Sequence, residues 1–355
     1  MAHTLPAARA ALLLSLIAPL PALAQSDEGG FDGPSAEWSL SVEADMDANV
    51  ASTDPAAELV DVYPTIEAGL TVEAAEWLSL NAHAVLEPVA DPVDDRFFED
   101  LGLYVDELFA TAHRDDMSLS AGKLGVPFGV AWDAAPGLYG TDFAEDYEIS
   151  EQIGAVVSVP LGRTPGAATL SIAAFFADRT VLSDALGESR GPLRLGDGGA
   201  GNTEAPENLA LSLDGEVGEA WTWTLGLRRL AAGRGDPEDE LGAVAGFTHA
   251  MEIDDDTGLD LIAEGAWLVN AGGGTADALY LTAGAAATRG PWELSAVYAL
   301  RDVDGADTDH LGTVSLGYAI TEAVTAGVAY RLGREGGETT HTIGLALVAE
   351  FGGGF

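Results

Sequence analysis

Residues 341–355, His341-Thr342-Ile343-Gly344-Leu345-Ala346-Leu347-Val348-Ala349-Glu350-Phe351-Gly352-Gly353-Gly354-Phe355, carry the plainest statement of the fold. Ile343, Leu345, Leu347, Ala349, Phe351, Gly353 and Phe355 fall on every second position. Side chains of a strand alternate between two faces, so this spacing gives one strand a continuous, largely apolar face that ends on an aromatic ring.

The same period of two recurs upstream. Trp38, Leu40, Val42, Ala44 and Met46 alternate with Glu37, Ser39, Ser41, Glu43 and Asp45. Leu78, Leu80, Ala82, Ala84 and Leu86 repeat it, as do Leu170, Ile172, Ala174 and Phe176, and Leu209, Leu211 and Leu213. Trp221, Trp223, Leu225 and Leu227 stand against Thr222, Thr224 and Arg228. Trp292, Leu294, Ala296, Tyr298 and Leu300, then Val324, Ala326, Val328 and Tyr330, complete the series.

Connections between these segments alternate in length. Short ones fall at 73–76, 114–116, 161–166, 254–258, 289–290 and 321–323; long ones at 47–59, 88–100, 125–152, 180–206 and 231–240. Short turns at one rim and long loops at the other are the layout of outer-membrane barrels. The count is about 16 strands, an even number that puts both termini on the short-turn side.

The first 24 residues read as a secretory signal: Arg9 in a short basic region, an apolar run from Ala10 to Leu20, and Ala22-Leu23-Ala24 before Gln25. The apolar run is too short for a spanning helix. Without this segment the chain keeps 14 basic residues against 58 acids, a formal charge of −44. Such a balance excludes a nucleic-acid binder, which needs a basic face. The chain is 47% hydrophobic, enough to bury a core and so to exclude charge-driven disorder. It has no cysteine, so an exported fold must be held by something other than disulfides. No later run of about 18 apolar residues appears, which excludes a helical membrane protein. The alternatives are a soluble β-sandwich and a transmembrane barrel. Aromatics near strand ends (Trp38, Trp77, Trp221, Trp267, Trp292, Tyr280, Tyr330) fit the interfacial girdles of a barrel, and the small or polar opposite face fits a wet lumen. The expected fold is all-β, a transmembrane antiparallel barrel of about 16 strands over residues 25–355.

The terminal alternation resembles the C-terminal signature that barrel-assembly machinery reads in bacterial outer-membrane proteins, with Phe351 and Phe355 in the signature positions. The segment Gly122-Lys123-Leu124-Gly125-Val126-Pro127-Phe128-Gly129 resembles the G-K-x-x-x-P-F-G segment that leads into an extracellular loop in porin-like outer-membrane proteins of Gram-negative bacteria. Siderophore-porin-like proteins are the nearest of these, and phosphate- or carbohydrate-selective porins are more distant. The resemblance implies a channel or uptake function in the outer membrane, with no defined substrate residues. Its partners would be outer-membrane lipid, the assembly machinery, and small solutes or cations; a homo-oligomer is compatible with it.

The loop that follows carries Asp133, Asp142, Glu145, Asp146, Glu148 and Glu151, with Lys123 alone at its base. Folded into the barrel, it would narrow the lumen with carboxylates and favour cations. Facing outward, the same acids would serve only solubility. An anion-selective pore would need rings of Arg or Lys, which this composition does not supply. Gly187-Glu188-Ser189-Arg190-Gly191 matches the serine-hydrolase G-x-S-x-G pattern but lies in a Gly-rich polar stretch with no helical pattern after it. The acidic run Asp302–Asp309 has its glycine misplaced for a calcium loop and lacks the closing Glu. The scattered histidines His83, His113, His249, His310 and His341 have no metal-ligand spacing, so neither a metal nor a cofactor is expected. The sequence therefore points to a passive, cation-preferring channel with no covalent chemistry, in which siderophore or metal-chelate uptake would follow from the resemblance. The rival is an outer-membrane protease or lipase, which needs a nucleophile, His and carboxylate converging at one rim. An energised receptor would need a plug and about 22 strands.

Overall fold

A computed structural model describes residues 33–94, 96–162, 168–218, 220–254 and 256–355. The signal segment 1–24 lies outside the described residues, as do parts of the short connections at 161–166 and 254–258. Sixteen long strands form the wall: β1 (Ser35–Ser52), β2 (Val60–Ala75), β3 (Leu78–Pro88), β4 (Leu101–Arg114), β5 (Met117–Leu124), β6 (Gln152–Pro160), β7 (Thr169–Ala177) and β8 (Asn208–Val217). The wall continues with β9 (Trp221–Leu230), β10 (Glu240–Asp254), β11 (Thr257–Val269), β12 (Ala278–Arg289), β13 (Trp292–Val303), β14 (Asp309–Thr321), β15 (Val324–Glu335) and β16 (Glu338–Gly354). Two-residue strands, Arg96–Phe97 and Leu186–Gly187, add to β2 and β4 from the long loops.

Each long strand pairs antiparallel with its sequence neighbour, and β1 closes the ring on β16, with Leu40 opposite Phe351 and Met46 opposite Leu345. Ala36 and Phe355 exchange both backbone hydrogen bonds at 2.9 Å, which ties the two ends together at the short-turn rim. A closed ring leaves no strand edge, so every backbone group of the wall can be satisfied within hydrocarbon.

The alternation sorts the two faces. Leu345, Leu347, Phe351, Leu294, Leu225, Leu209 and Trp38 are exposed on the outside, a surface suited to lipid. The inner face is polar and cross-linked: Thr111 to Ser120 and Ser158 to Ser171 at 2.9 Å, and Thr342 to Asn49 at 2.7 Å. A charged side chain on the lipid face is costly at the midplane, about 2–4 kcal/mol for Arg or Lys and less for Asp or Glu, so the acids of the strands gather inside.

Two placements differ from the expectation. Tyr280, expected in the aromatic girdle, points into the lumen and is buried there at 7% exposure, because its neighbours Leu279 and Leu281 take the outward positions. Asp47, expected to open a long loop, lies within β1, which continues to Ser52; its carboxylate accepts the hydroxyl of Tyr63 at 2.9 Å. A polar run at a strand end does not mark a loop when one of its faces is a wet interior.

Candidate functional site: a loop folded into the lumen

The connection from β5 to β6, residues 125–151, folds into the barrel. Its apolar side chains Val126, Phe128, Phe143, Tyr147 and Ile149 are buried against Val156, Phe175, Val244, Ile262 and Leu268 of the inner wall. Phe128 is 0% exposed and Tyr147 1%. Tyr147 packs edge-on against Tyr280 at 5.2 Å and against Phe128 at 6.4 Å. An otherwise polar lumen thus contains a small apolar core, and the loop is its inner half.

Glu264 of β11 holds the loop at its centre. Its carboxylate is 4% exposed and accepts three hydrogen bonds, from Val130 N at 2.7 Å, Ala131 N at 3.0 Å and the Tyr147 hydroxyl at 2.7 Å. The two amides open the single helical turn α1 (Ala131–Ala134), where free N–H groups favour an anion. Gly129, last residue of the 122–129 segment, has φ +80°, and a Cβ there would lie 2.7 Å from Glu264 Oε1. Beyond α1 the loop crosses to β14 and β1: Leu138 N donates to Ser315 Oγ at 3.2 Å, and the Tyr139 hydroxyl donates to Asp47 of β1. A Cβ at Gly344 of β16 would collide with the Tyr139 ring and hydroxyl, so the loop makes this close approach over a glycine.

Three lumenal arginines are engaged in holding the loop. Arg331 Nε bonds Asp142 at 2.7 Å and its Nη2 bonds Glu335 at 2.7 Å. Arg301 Nη1 bonds Asp146 at 2.7 Å, and its Nη2 reaches Asp309 at 2.8 Å. Arg228 pairs with Glu240 at 2.7 Å and donates to the Tyr147 carbonyl. Its guanidinium lies 4.5 Å from the Phe128 ring centre, while that of Arg301 lies 4.7 Å from Phe143.

The seven residues singled out from the sequence divide into three groups. Asp142 and Asp146 are ion-paired anchors. Lys123 and Glu151 form an ion pair at 2.8 Å in a buried network with Asp178 and Arg190, where the loop meets residues 178–190. Asp133, Glu145 and Glu148 have no cationic partner among the described residues. Burial pushes Asp133 up to about 6. Burial, with the like charges of Glu145, Asp133, Glu151 and Asp106, pushes Glu148 up to about 7. Burial also raises Glu145, against a hydrogen bond from Thr141 and with repulsion from Asp146 and Glu87. Glu87 and Asp106 belong to β3 and β4, so the unpaired loop acids and that acidic wall act on each other across the lumen.

Sequence reasoning missed Glu264, Arg228, Arg301 and Arg331. Their signal was present: each stands on the inward register of its strand, and inward cations are conspicuous in a chain this acidic. Ser189 of the hydrolase-like pattern donates to Asp184 at 2.7 Å within the 178–207 loop, and no histidine bonds it among the described residues. Asp309, at the end of the calcium-like run, accepts Arg301 and the amide of Gly336.

No protein-family model matches the chain, and no curated protein is similar to it in sequence. Solved structures are similar in fold. The outer membrane channel DcaP of Acinetobacter baumannii superposes with a TM-score of 0.61 at 11% identity, over 91% of this chain and 100% of that one. Pseudomonas putida OprB gives 0.62 at 11% identity, over 90% and 94%. Pseudomonas aeruginosa OpdK, solved with vanillate, gives 0.55 at 11% identity, over 92% and 100%. The chain has the closed 16-strand fold of Gram-negative outer-membrane porins, and its lipid-facing exterior suits it to that membrane.

Proposed function

We propose that the protein is a passive outer-membrane channel for small solutes, that residues 125–151 form its constriction, and that the open path prefers cations. The observation that carries the charge preference is the pairing of the lumenal arginines. Arg228, Arg301 and Arg331 are each matched by carboxylates, whereas Asp133, Glu145 and Glu148 are not. Low-dielectric walls focus such a field, so a narrow path between these acids and the β3–β4 wall concentrates cations and repels anions. Uptake of siderophores or other metal chelates, which the resemblance of residues 122–129 implies, is the narrower form of this proposal. An acid-lined path would favour chelates with net positive charge.

Proteoliposome swelling tests the reading. Amine, neutral and carboxylate solutes of matched size should enter in that order of rate. Equal rates would remove the charge preference, and no swelling would remove the channel.

A further inference from the structure

We propose that a cavity on the inner side of the loop is a binding site for small organic monocations, primary amines carrying an aromatic or branched aliphatic body. The inference rests on the cation-preferring channel above and names a solute class for it. The cavity, about 620 Å³, lies between the 146–152 end of the loop, residues 199–201 and the wall from β7 to β13. That volume is typical of small-molecule sites. Ile149, Phe175, Leu230, Leu268, Tyr280 and Val303 supply an apolar lining that fits a compact hydrocarbon body.

The polar groups decide the charge of the occupant. Arg228 and Arg301 both face the cavity, and every nitrogen of each guanidinium already has a partner. Arg228 uses Nε and Nη2 on Glu240 and Nη1 on the Tyr147 carbonyl. Arg301 uses Nε and Nη2 on Asp309 and Nη1 on Asp146. A carboxylate ligand at either guanidinium would have to share it with Glu240, or with Asp146 and Asp309, and meet their charge at close range. Glu148 lines the same cavity, and among the described residues its carboxylate has neither a hydrogen-bond nor an ion-pair partner. An unpaired carboxylate beside an apolar surface matches an ammonium group attached to an apolar body, since the pair satisfies the acid while the body leaves water.

Titration calorimetry on the full chain in detergent, with phenethylamine, phenethyl alcohol and phenylacetate as probes, tests this. The amine should bind about tenfold or more tightly than either relative. Glu148→Gln should bring the amine to the level of the alcohol, and Leu268→Trp, which fills the cavity but keeps the acid, should weaken the amine as well. Phenylacetate binding as tightly as the amine overturns the proposal, as does amine affinity unchanged in both variants. If Glu148→Gln fails to assemble, the probe series on the unmodified protein and Leu268→Trp decide alone. Ion selectivity is measured separately in bilayers. A cation-selective pore that binds the amine no better than the alcohol rejects the cavity site and leaves the channel reading standing. A pore without cation preference removes the reading on which the site rests.

Discussion

The Tyr147 hydroxyl donates to Glu264 Oε1 at 2.7 Å, joining residues 117 positions apart and fixing the loop to the far wall of the lumen. A hydrogen bond to a charged group contributes roughly 1.5–3 kcal/mol, and leaving a buried partner orphaned costs a similar amount. Tyr147→Phe should therefore loosen the loop while its apolar core remains. Glu264→Ala, which strands two amides and a hydroxyl, should release it. The expected outcome is a modest rise in single-channel conductance for Tyr147→Phe and a large, noisier rise for Glu264→Ala. Unchanged conductance in Glu264→Ala would mean that the loop does not limit the path.

The barrel was legible in the sequence because a period of two is written directly by burial: Leu345, Leu347 and Phe351 must all face one way. Closure was legible for the same reason, from an even number of segments and alternating connection lengths. The interior of the loop was not. Its acids are equally compatible with water outside and with arginines inside, and the choice is made by partners far along the chain, such as Arg331 for Asp142, 189 residues away. Local pattern carries no information about such pairs. Tyr280 is a different case: aromatic content suggested a girdle, but the local parity set by Leu279 and Leu281, itself written in the sequence, turns the ring inward.

Selectivity should depend on pH with a definite sign. Burial puts Asp133 at about 6 and, with the like charges of Glu145, Asp133, Glu151 and Asp106, puts Glu148 at about 7. A carboxyl is charged above its pKa, so cation preference should be greatest near pH 8 and fall as the pH drops through 7 and then 6. The permeability ratio of potassium to chloride, measured from pH 8 to about pH 5.5, checks this. A ratio that rises on acidification contradicts it.

Neutralising different loop acids should have different effects. Glu145→Gln with Glu148→Gln removes unpaired charge and should reduce cation preference with little change in pore size. Asp142→Asn with Asp146→Asn leaves Arg331 and Arg301 short of partners, so it should reduce cation preference further and loosen the loop as well. Reversal potentials of the two double variants compare them directly. Identical values for the two would mean that the ion pairs do not shape the field in the pore.

The carboxyl end offers a test of assembly. Phe355 is 84% exposed on the outside of the wall, in register with Phe351, and its backbone closes on Ala36. Deleting Phe355 should lower the amount of heat-modifiable barrel in the outer membrane much more than it lowers synthesis. Normal assembly of the truncated chain would remove any weight from the terminal pattern.

Charge selectivity should come from the unpaired acids of the pore. At an effective dielectric near 20, one carboxylate about 6 Å from a monovalent ion contributes roughly 3 kcal/mol before screening. A Debye length near 8 Å at about 0.15 M salt removes much of this in a wide pore and less at a constriction. The direct measurement is the reversal potential of the purified protein in a planar bilayer under a tenfold KCl gradient, first at low and then at high salt. The expected result is a cation-selective sign, approaching the ideal value of about 59 mV at low salt and shrinking by about 1 M. An anion-selective sign in the unmodified protein would contradict it.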